Sequence, residues 1–140
     1  MNLVITMSRR FGTGASIIAK ELSERLHIPV YDKDDVEHGM RENAFESEAD
    51  AIRELAKQPC IIIGRCASEF LKSNVINIYV CADKEDRIKR IMKLFSLTRE
   101  AAEVMLEETD KQRAEYYYKN TGKTWGDVNN YHMILNTSDL

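Results

Sequence analysis

The stretch LVITMSRRFGTGAS, residues 3–16, decides the predicted fold. A strand-like apolar run enters a turn that contains Gly12 and Gly14, and a helical pattern follows. At such a strand-to-helix turn, backbone N–H groups point toward a bound anion and the helix N-terminus favours negative charge. The layout is therefore typical of a phosphate-binding loop.

The loop departs from the usual phosphate-binding pattern at two positions. In that pattern a glycine opens the loop, and a lysine stands before a final Ser or Thr. Here Arg9 stands at the opening position and Ala15 at the lysine position, whereas Ser16 keeps the hydroxyl. The sequence thus predicts a loop that has its backbone donors but lacks the usual cation.

Length and composition bound the class of protein. The 140 residues suffice for a single domain, 1–140, and are 44% apolar and 31% charged. A net charge of −3 argues against a dedicated nucleic-acid binder, which usually carries a basic excess. We see no membrane-spanning run and no signal peptide, so we expect a cytoplasmic protein. Cys60, Cys66 and Cys81 lack metal-ligand spacing and are expected to be reduced thiols.

Apolar runs alternate with helical patterns along the chain. Strands are predicted over residues 2–7, 28–31, 60–64, 75–81 and 131–135. Helices are predicted over residues 16–26, 46–57, 84–95 and 99–117, with Asp83 and Thr98 as the caps of the last two. No tight hairpin separates the strands. The pattern therefore predicts a mostly parallel sheet that helices cover on both faces.

Polar residues follow each predicted strand, where parallel sheets bind their ligands. They are the loop after the first strand, Asp32–Asp35 after the second, Gly64–Arg65 after the third, Asp83 after the fourth and Asn136–Ser138 after the fifth. Backbone donors and arginines suit charged phosphate oxygens, and hydroxyls or carboxylates suit magnesium. We therefore expect a phosphate-handling site at this edge.

Four segments resemble the cytidylate kinase-like family of P-loop kinases. They are residues 8–14, 28–33, 59–67 and, with short gaps, 121–138. The resemblance implies a three-layer α/β P-loop kinase fold with a five-stranded parallel sheet and a helical lid, here approximately residues 84–126. It further implies that the protein uses Mg-ATP and moves the γ-phosphoryl group to a nucleoside monophosphate resembling CMP or dCMP, or to a similar small acceptor.

On the donor side, the resemblance implies a backbone cradle. The amides that would hold the donor phosphates belong to Gly12, Thr13, Gly14, Ala15 and Ser16. The Ser16 hydroxyl would be the magnesium ligand. A tight strand-to-helix turn is the structural alternative for the glycines, and a helix cap explains Ser16 almost as well as metal binding does.

On the acceptor side, the resemblance implies that Arg65 grips the acceptor phosphate bidentately and that Asp32 lies near the acceptor or orders the metal shell. Among the lid cations, Arg113 is favoured for neutralising the transferred group, because residues 110–113 (DKQR) followed by Tyr116 and Tyr117 resemble the family's lid motif best. Arg9 or Arg10 would partly replace the missing lysine. The other lid candidates are Arg87, Arg90 and Lys111.

Structural alternatives remain open for these side chains. Arg65 could pair with a structural carboxylate, and Asp32 could be a turn residue or helix cap. Arg87 and Arg90 lie beside acidic residues, which is typical of a solvated helix face, and Arg113 divides evenly between the two readings.

The region between Asp35 and Glu46 is shorter than the resemblance leads us to expect, and it corresponds to the part that closes over the acceptor. Together with Ala15, this keeps a second function open. That function is a catalytically degenerate nucleotide-binding or regulatory module of the same fold. A purely structural or partner-binding domain is the third possibility.

Overall fold

The computed structural model describes residues 3–43, 47–71 and 74–139. These contain a five-stranded sheet in the order β2-β3-β1-β4-β5. The strands are β1 (Val4–Arg9), β2 (Val30–Tyr31), β3 (Cys60–Ile63), β4 (Val75–Cys81) and β5 (Met133–Asn136). The predicted parallel α/β sheet is thereby confirmed.

The central strand register follows from continuous apolar runs. β1 pairs in parallel with β3, from Val4 opposite Cys60 to Met7 opposite Ile63. All four residues of β3 are buried, as expected of a strand covered on both faces.

The described residues form six α-helices. They are α1 (Ala15–Leu26), α2 (Lys33–Asn43), α3 (Glu48–Leu55), α4 (Ala67–Leu71), α5 (Lys84–Phe95) and α6 (Arg99–Thr121). Short 3₁₀ turns cover Val128–Asn130 and Thr137–Asp139. In none of the described helices is there a stretch both long and apolar enough to span a membrane.

Helix α2 was not predicted, because its apolar positions are too sparse to give a helical period. Its start is nonetheless well specified. The Asp32 side chain accepts a hydrogen bond from the Asp35 N–H (3.1 Å), and the Asp35 side chain accepts one from the Asp32 N–H (2.9 Å). This reciprocal capping satisfies backbone donors at the helix start, and the fully buried Val36 anchors the first turn.

Helices α5 and α6 occupy the predicted lid stretch and show one confirmed cap and one difference. Thr98 caps α6, its hydroxyl accepting from the Ala101 N–H at 3.2 Å. Asp83 precedes α5, but its side chain makes no cap hydrogen bond. Phe95 near the end of α5 is half exposed and stacks on Phe11, with the ring centroids 6.1 Å apart.

The chain packs as two compact units, and the prediction of a single domain over 1–140 stays a prediction. The first unit comprises Met1–Ser8 and Ser16–Ile78, and the second comprises Arg9–Ala15 and Tyr79–Leu140. The core of the first unit consists of Val4, Val36, Ala51, Ile52, Cys60, Ile62 and Ala67.

The core of the second unit lies between α5 and α6. Ile88 and Ile91 of α5 pack against Ala102 and Leu106 of α6, and all four are buried. Phe11 from the loop packs against this cluster. The loop and the helix pair therefore share one apolar core.

Ile52→Ala is expected to lower the free energy of unfolding by about 2–5 kcal/mol, because Ile52 on α3 is fully buried and its loss leaves a cavity. The matched control is Ile17→Ala on α1, where the side chain is 64% exposed and the change should stay within about 0.5 kcal/mol. Urea denaturation monitored by circular dichroism measures both. Equal losses for the two variants would contradict the assigned core.

Candidate functional site

The loop between β1 and α1 depends on two glycines in left-handed conformations. Gly12 has φ +79° and Gly14 has φ +77°, a region that other residues adopt only with strain. Gly12 also lies close to α5. A Cβ built there would lie 3.0 Å from Ile91 Cδ1 and 3.1 Å from the carbonyl oxygen of Arg87. The loop shape and its contact with α5 therefore both require glycine at position 12.

The remaining loop residues present backbone rather than side-chain donors. Ala15 and Thr13 are buried, and the Thr13 hydroxyl donates to the carbonyl of Arg10 at 3.1 Å. Ser16 is exposed at the second position of α1. The first N–H groups of a helix have no partner within the helix, so this loop leads into a suitable anion site.

Arg90 is the lid-stretch arginine that contacts the glycine turn. A Cβ built on Gly14 would lie 3.1 Å from Arg90 Cζ and 3.2 Å from both terminal nitrogens. The guanidinium thus borders the space beside Gly14 that a side chain there would enter. Arg90 is exposed and has no ion pair within residues 3–43, 47–71 and 74–139. Its charge therefore stands beside the loop.

The guanidinium of Arg87, unlike that of Arg90, does not stand exposed beside the loop. It is 9% exposed, and its Nη1 pairs with Asp110 Oδ2 at 2.8 Å. Its Nε also donates to the carbonyl of Ala82 at 3.1 Å. The solvated helix face that the sequence favoured for Arg87 is wrong, because this guanidinium is buried against a carboxylate on α6.

Arg113 reaches the start of the loop from α6. Its Nη1 donates to the carbonyl of Arg9 at 2.9 Å, and its guanidinium carbon lies 5.5 Å from the centroid of the Phe11 ring. Burial lowers the pKa of Arg113, and the carboxylate of Asp110 opposes that shift. Arg113 thus contacts the loop that the sequence linked it to, through backbone and ring.

Arg10 is surrounded by aromatic side chains. Its Nε donates to Tyr79 Oη at 2.6 Å, and its guanidinium carbon lies 4.6 Å from the centroid of Trp125. Tyr79 stacks on Trp125 with centroids 5.7 Å apart, and Tyr131 meets Tyr79 edge-on at 4.9 Å. Burial raises the pKa of Tyr79, whereas Arg10 opposes that shift. The aromatic residues near the C-terminus therefore pack around a loop cation.

In the first unit, the two predicted acceptor-side residues each have a structural partner. Asp32 caps α2, as described above. Arg65 Nη1 pairs with Glu48 Oε1 at 2.9 Å, and the two side chains are 19% and 26% exposed. The predicted roles of Asp32 and Arg65 stay predictions.

Arg65 stands in a run of left-handed backbone. Gly64, Arg65 and Cys66 have φ values of +73°, +58° and +51°. Two of the three carry a side chain, and such residues each cost about 1–3 kcal/mol unless their surroundings fix them. The turn therefore fixes the backbone position of Arg65, directly after the end of β3.

Glu48 is a site residue that the sequence analysis missed, and Asp110 is one to which it gave no role. Asp110 is 6% exposed and joins Arg87 to the loop, and Glu48 orients Arg65. A signal existed for Asp110, since it stands four positions after the buried Leu106 on the apolar face of α6. Glu48 lies in the predicted helix over 46–57, whose pattern gives no indication of a partner beyond β3.

The donor set fits a magnesium ion held largely by its substrate. Among the described residues, no three His, Cys, Asp or Glu side chains are grouped to hold a metal ion. Magnesium commonly keeps several waters and binds through few protein groups plus phosphate oxygens. The exposed Ser16 hydroxyl is compatible with such a site.

The thiols of Cys60 and Cys66 are expected to react slowly in the folded protein. Burial raises the pKa of Cys60 to about 11 and that of Cys66 to about 12, from an ordinary value of 9.0. The reactive thiolate fraction falls tenfold for each pH unit below the pKa, so at pH 8 we expect alkylation roughly a hundredfold or more below that in urea. The rate should rise with pH between 7 and 9.

Iodoacetamide labelling followed by peptide mass spectrometry measures the three cysteines separately. Cys81 is half-buried and serves as the internal comparison. Labelling of Cys66 at the same rate with and without urea would contradict its burial.

Comparison with known proteins gives a family and a fold. A sequence model of the cytidylate kinase-like family matches residues 4–38 and 35–139. A cytidylate kinase of Pyrococcus horikoshii is 25% identical over 154 residues, covering 97% of this chain and 80% of that protein. Because 154 exceeds the 140 residues here, that relative carries residues without a counterpart in this chain.

Solved structures agree with the fold. A crystal structure of an uncharacterized protein from Eubacterium ventriosum has a TM-score of 0.91 at 29% identity, covering 99% of this chain and 90% of that chain. A shikimate kinase from Bacteroides thetaiotaomicron has a TM-score of 0.60 at 15% identity, covering 96% and 86%. A gluconokinase from Sinorhizobium meliloti has a TM-score of 0.57 at 11% identity, covering 97% and 82%.

At 15% and 11% identity, the shikimate kinase and the gluconokinase bear on fold alone. The match to the family model, by contrast, covers nearly the whole chain and therefore shows the family as well as the fold. Its two stretches meet at residues 35–38, at the start of the region that the sequence identifies as short. The chain belongs to the cytidylate kinase-like family.

Proposed function

We propose that this protein is a phosphotransferase that moves the γ-phosphoryl group of Mg-ATP to a nucleoside monophosphate such as CMP or dCMP, or to a similar small acceptor. The family and the fold support the coarser statement, a P-loop kinase. The nucleotide acceptor is taken from the printed name of the Pyrococcus relative. In the reaction an acceptor oxygen bonds to the γ-phosphorus while the bond to the β,γ-bridging oxygen breaks, and ADP leaves with that electron pair.

One observation carries the proposal. A glycine turn leads into the N-terminus of α1, and the guanidinium of Arg90 lies against Gly14. A triphosphate needs backbone N–H donors and a cation beside them. The loop supplies the donors, and Arg90 supplies a positive charge beside the turn where Ala15 supplies none.

On the donor side, different residues would bind phosphate oxygens, hold magnesium and neutralise charge. The amides of Gly12 to Ser16 bind phosphate oxygens, and the Ser16 hydroxyl holds magnesium, which supplies charge neutralisation between the phosphates. Arg9, Arg90 and Arg113 neutralise charge on the transferred group. Positioning and neutralisation account for most of the rate in this reaction class, so an arginine set can stand in for one lysine.

The acceptor work falls to the first unit. Arg65 binds the acceptor phosphate with its planar guanidinium, and Glu48 fixes its orientation through the 2.9 Å ion pair. Asp32 lies near the acceptor, its position fixed by the cap of α2. The left-handed turn at Arg65 is the kind of backbone that persists where function requires it.

A second function is favoured by Ala15, which is buried where the usual loop carries lysine. A protein that has kept the loop and lost the chemistry would be a nucleotide-binding or regulatory module. It would bind ATP without transferring phosphate.

A coupled assay for ADP with a panel of acceptors tests the first proposal. We expect ADP formation that depends on CMP or dCMP, and Arg65→Ala should raise the KM for the acceptor by about tenfold or more, because a charge-assisted phosphate contact is lost. The control is Arg53→Ala, whose guanidinium pairs with Asp50 on α3. A folded protein that binds ATP but shows no turnover with any acceptor supports the module instead.

Arg90→Ala is expected to weaken ATP binding by about tenfold or more, because it removes the guanidinium beside Gly14. Arg90→Lys keeps the positive charge but not the planar guanidinium, so its affinity for ATP should lie between those of the natural protein and Arg90→Ala. Isothermal titration calorimetry measures the affinities. The control is Lys93→Ala, an exposed cation near the end of the same helix. Unchanged ATP affinity in Arg90→Ala would remove Arg90 from the donor site.

A further inference from the structure

The phosphate loop is held from outside by side chains distant in sequence. Asp110 Oδ1 accepts the Phe11 N–H at 2.8 Å across 99 residues. The Thr137 hydroxyl donates to the Thr13 carbonyl at 2.9 Å across 124 residues. With the Arg113 contact to the Arg9 carbonyl, alternate loop residues 9, 11 and 13 each have a backbone group bound by an outside side chain.

Asp110 is the centre of this arrangement. It is 6% exposed, and its two oxygens have different partners. Oδ1 takes the Phe11 N–H, and Oδ2 takes the Arg87 guanidinium at 2.8 Å. Arg10 Nη1 lies 3.9 Å from Oδ2. A buried carboxylate is costly unless paired and hydrogen-bonded, and here both oxygens have partners.

The loop needs such a tie because its glycines leave it unconstrained. Gly12 and Gly14 adopt left-handed backbone freely but also lose the most freedom when fixed. The Phe11 N–H immediately precedes Gly12, so fixing it fixes the start of the glycine turn. A site ordered before its ligand arrives does not pay for ordering on binding.

The charge of Asp110 also requires an explanation, since a carboxylate beside a phosphate site repels the ligand. The Arg87 guanidinium at 2.8 Å balances it, and Arg87 Nη1 also contacts the Phe11 carbonyl at 3.4 Å. The Asp110–Arg87 pair therefore binds both the N–H and the carbonyl of Phe11, and the pair carries almost no net charge.

We propose that Asp110 is a positioning residue that fixes the phosphate loop in its anion-binding shape by holding the Phe11 N–H. The proposal rests on the proposed function to the extent that the loop binds phosphate. It makes the α6 segment around Asp110 part of the frame of the donor site.

Two variants of Asp110 separate the hydrogen bond from the charge. Asp110→Ala and Asp110→Asn both remove the negative charge that faces Arg87, but only asparagine keeps an oxygen that can accept the Phe11 N–H. The readouts are amide hydrogen exchange at Phe11 without ligand, by NMR, and affinity for Mg-ATP and for inorganic tripolyphosphate. The single tryptophan, Trp125, offers a fluorescence signal for the titrations.

In Asp110→Ala, we expect Phe11 exchange to speed up by about tenfold or more and both affinities to fall by about tenfold or more. Asp110→Asn keeps an acceptor for the Phe11 N–H but leaves the Arg87 guanidinium without its carboxylate, so both changes should be clearly smaller than in Asp110→Ala. The control is Glu103→Ala, an exposed residue of the same helix that pairs with Arg99 and should change neither.

Equal affinity losses in the two Asp110 variants would overturn the proposal, since they would assign the effect to charge alone. Unchanged affinity in Asp110→Ala, beside normal turnover, would overturn the positioning role and leave the kinase proposal standing. A natural protein that binds neither ATP nor tripolyphosphate overturns both. If Asp110→Ala does not fold, Phe11 exchange in the natural protein decides: an unprotected amide overturns the proposal.

Discussion

The hydrogen bond from the Phe11 N–H to Asp110 is the constraint on which the second unit depends. It joins the glycine turn to α6, and through Arg87 it joins the turn to α5. The apolar core between α5 and α6 includes Phe11, so packing and hydrogen bonding act on the same residue. Removing one partner of a buried ion pair leaves the charge of the other partner uncompensated. The loop and the two helices therefore depend on each other for their stability.

The arginines of the second unit differ in what surrounds each guanidinium group. Arg87 is buried with a carboxylate, Arg10 lies over an indole ring, Arg113 lies over a phenyl ring and Arg90 stands exposed beside Gly14. A guanidinium is weakly hydrated and stacks on aromatic faces, which lysine does less well. Several cations can therefore lie near one loop without a matching number of carboxylates, and phosphate is the anion that such a surplus suits.

Much of the fold could be predicted from the sequence because its determinants are local. The five apolar runs gave strands close to the observed bounds, and Thr98 capped α6 as predicted. The glycine turn was recognisable because Gly12 and Gly14 report a backbone requirement directly. Helix α2 was missed because its start depends on reciprocal capping by Asp32 and Asp35, in a stretch without helical periodicity.

The site was less predictable because it depends on pairs distant in the chain. Nothing near Phe11 indicates that its N–H meets Asp110, and nothing near Arg65 indicates Glu48. The sequence treated Arg87 and Arg90 alike, as neighbours on one helix face. The structure buries the first and leaves the second exposed, since α6 packs against one side of α5 only.

The geometry of α6 limits how the gene can change in length. Leu106, Asp110 and Arg113 lie on one face, and each additional residue turns a helix by about 100°. One codon inserted between Leu106 and Asp110 would keep the core contact but swing both loop contacts away together. Beyond Tyr117, the last buried residue of the helix, the same insertion leaves all three contacts in place. Length variation among relatives should therefore gather after Tyr117 and be rare between Leu106 and Arg113.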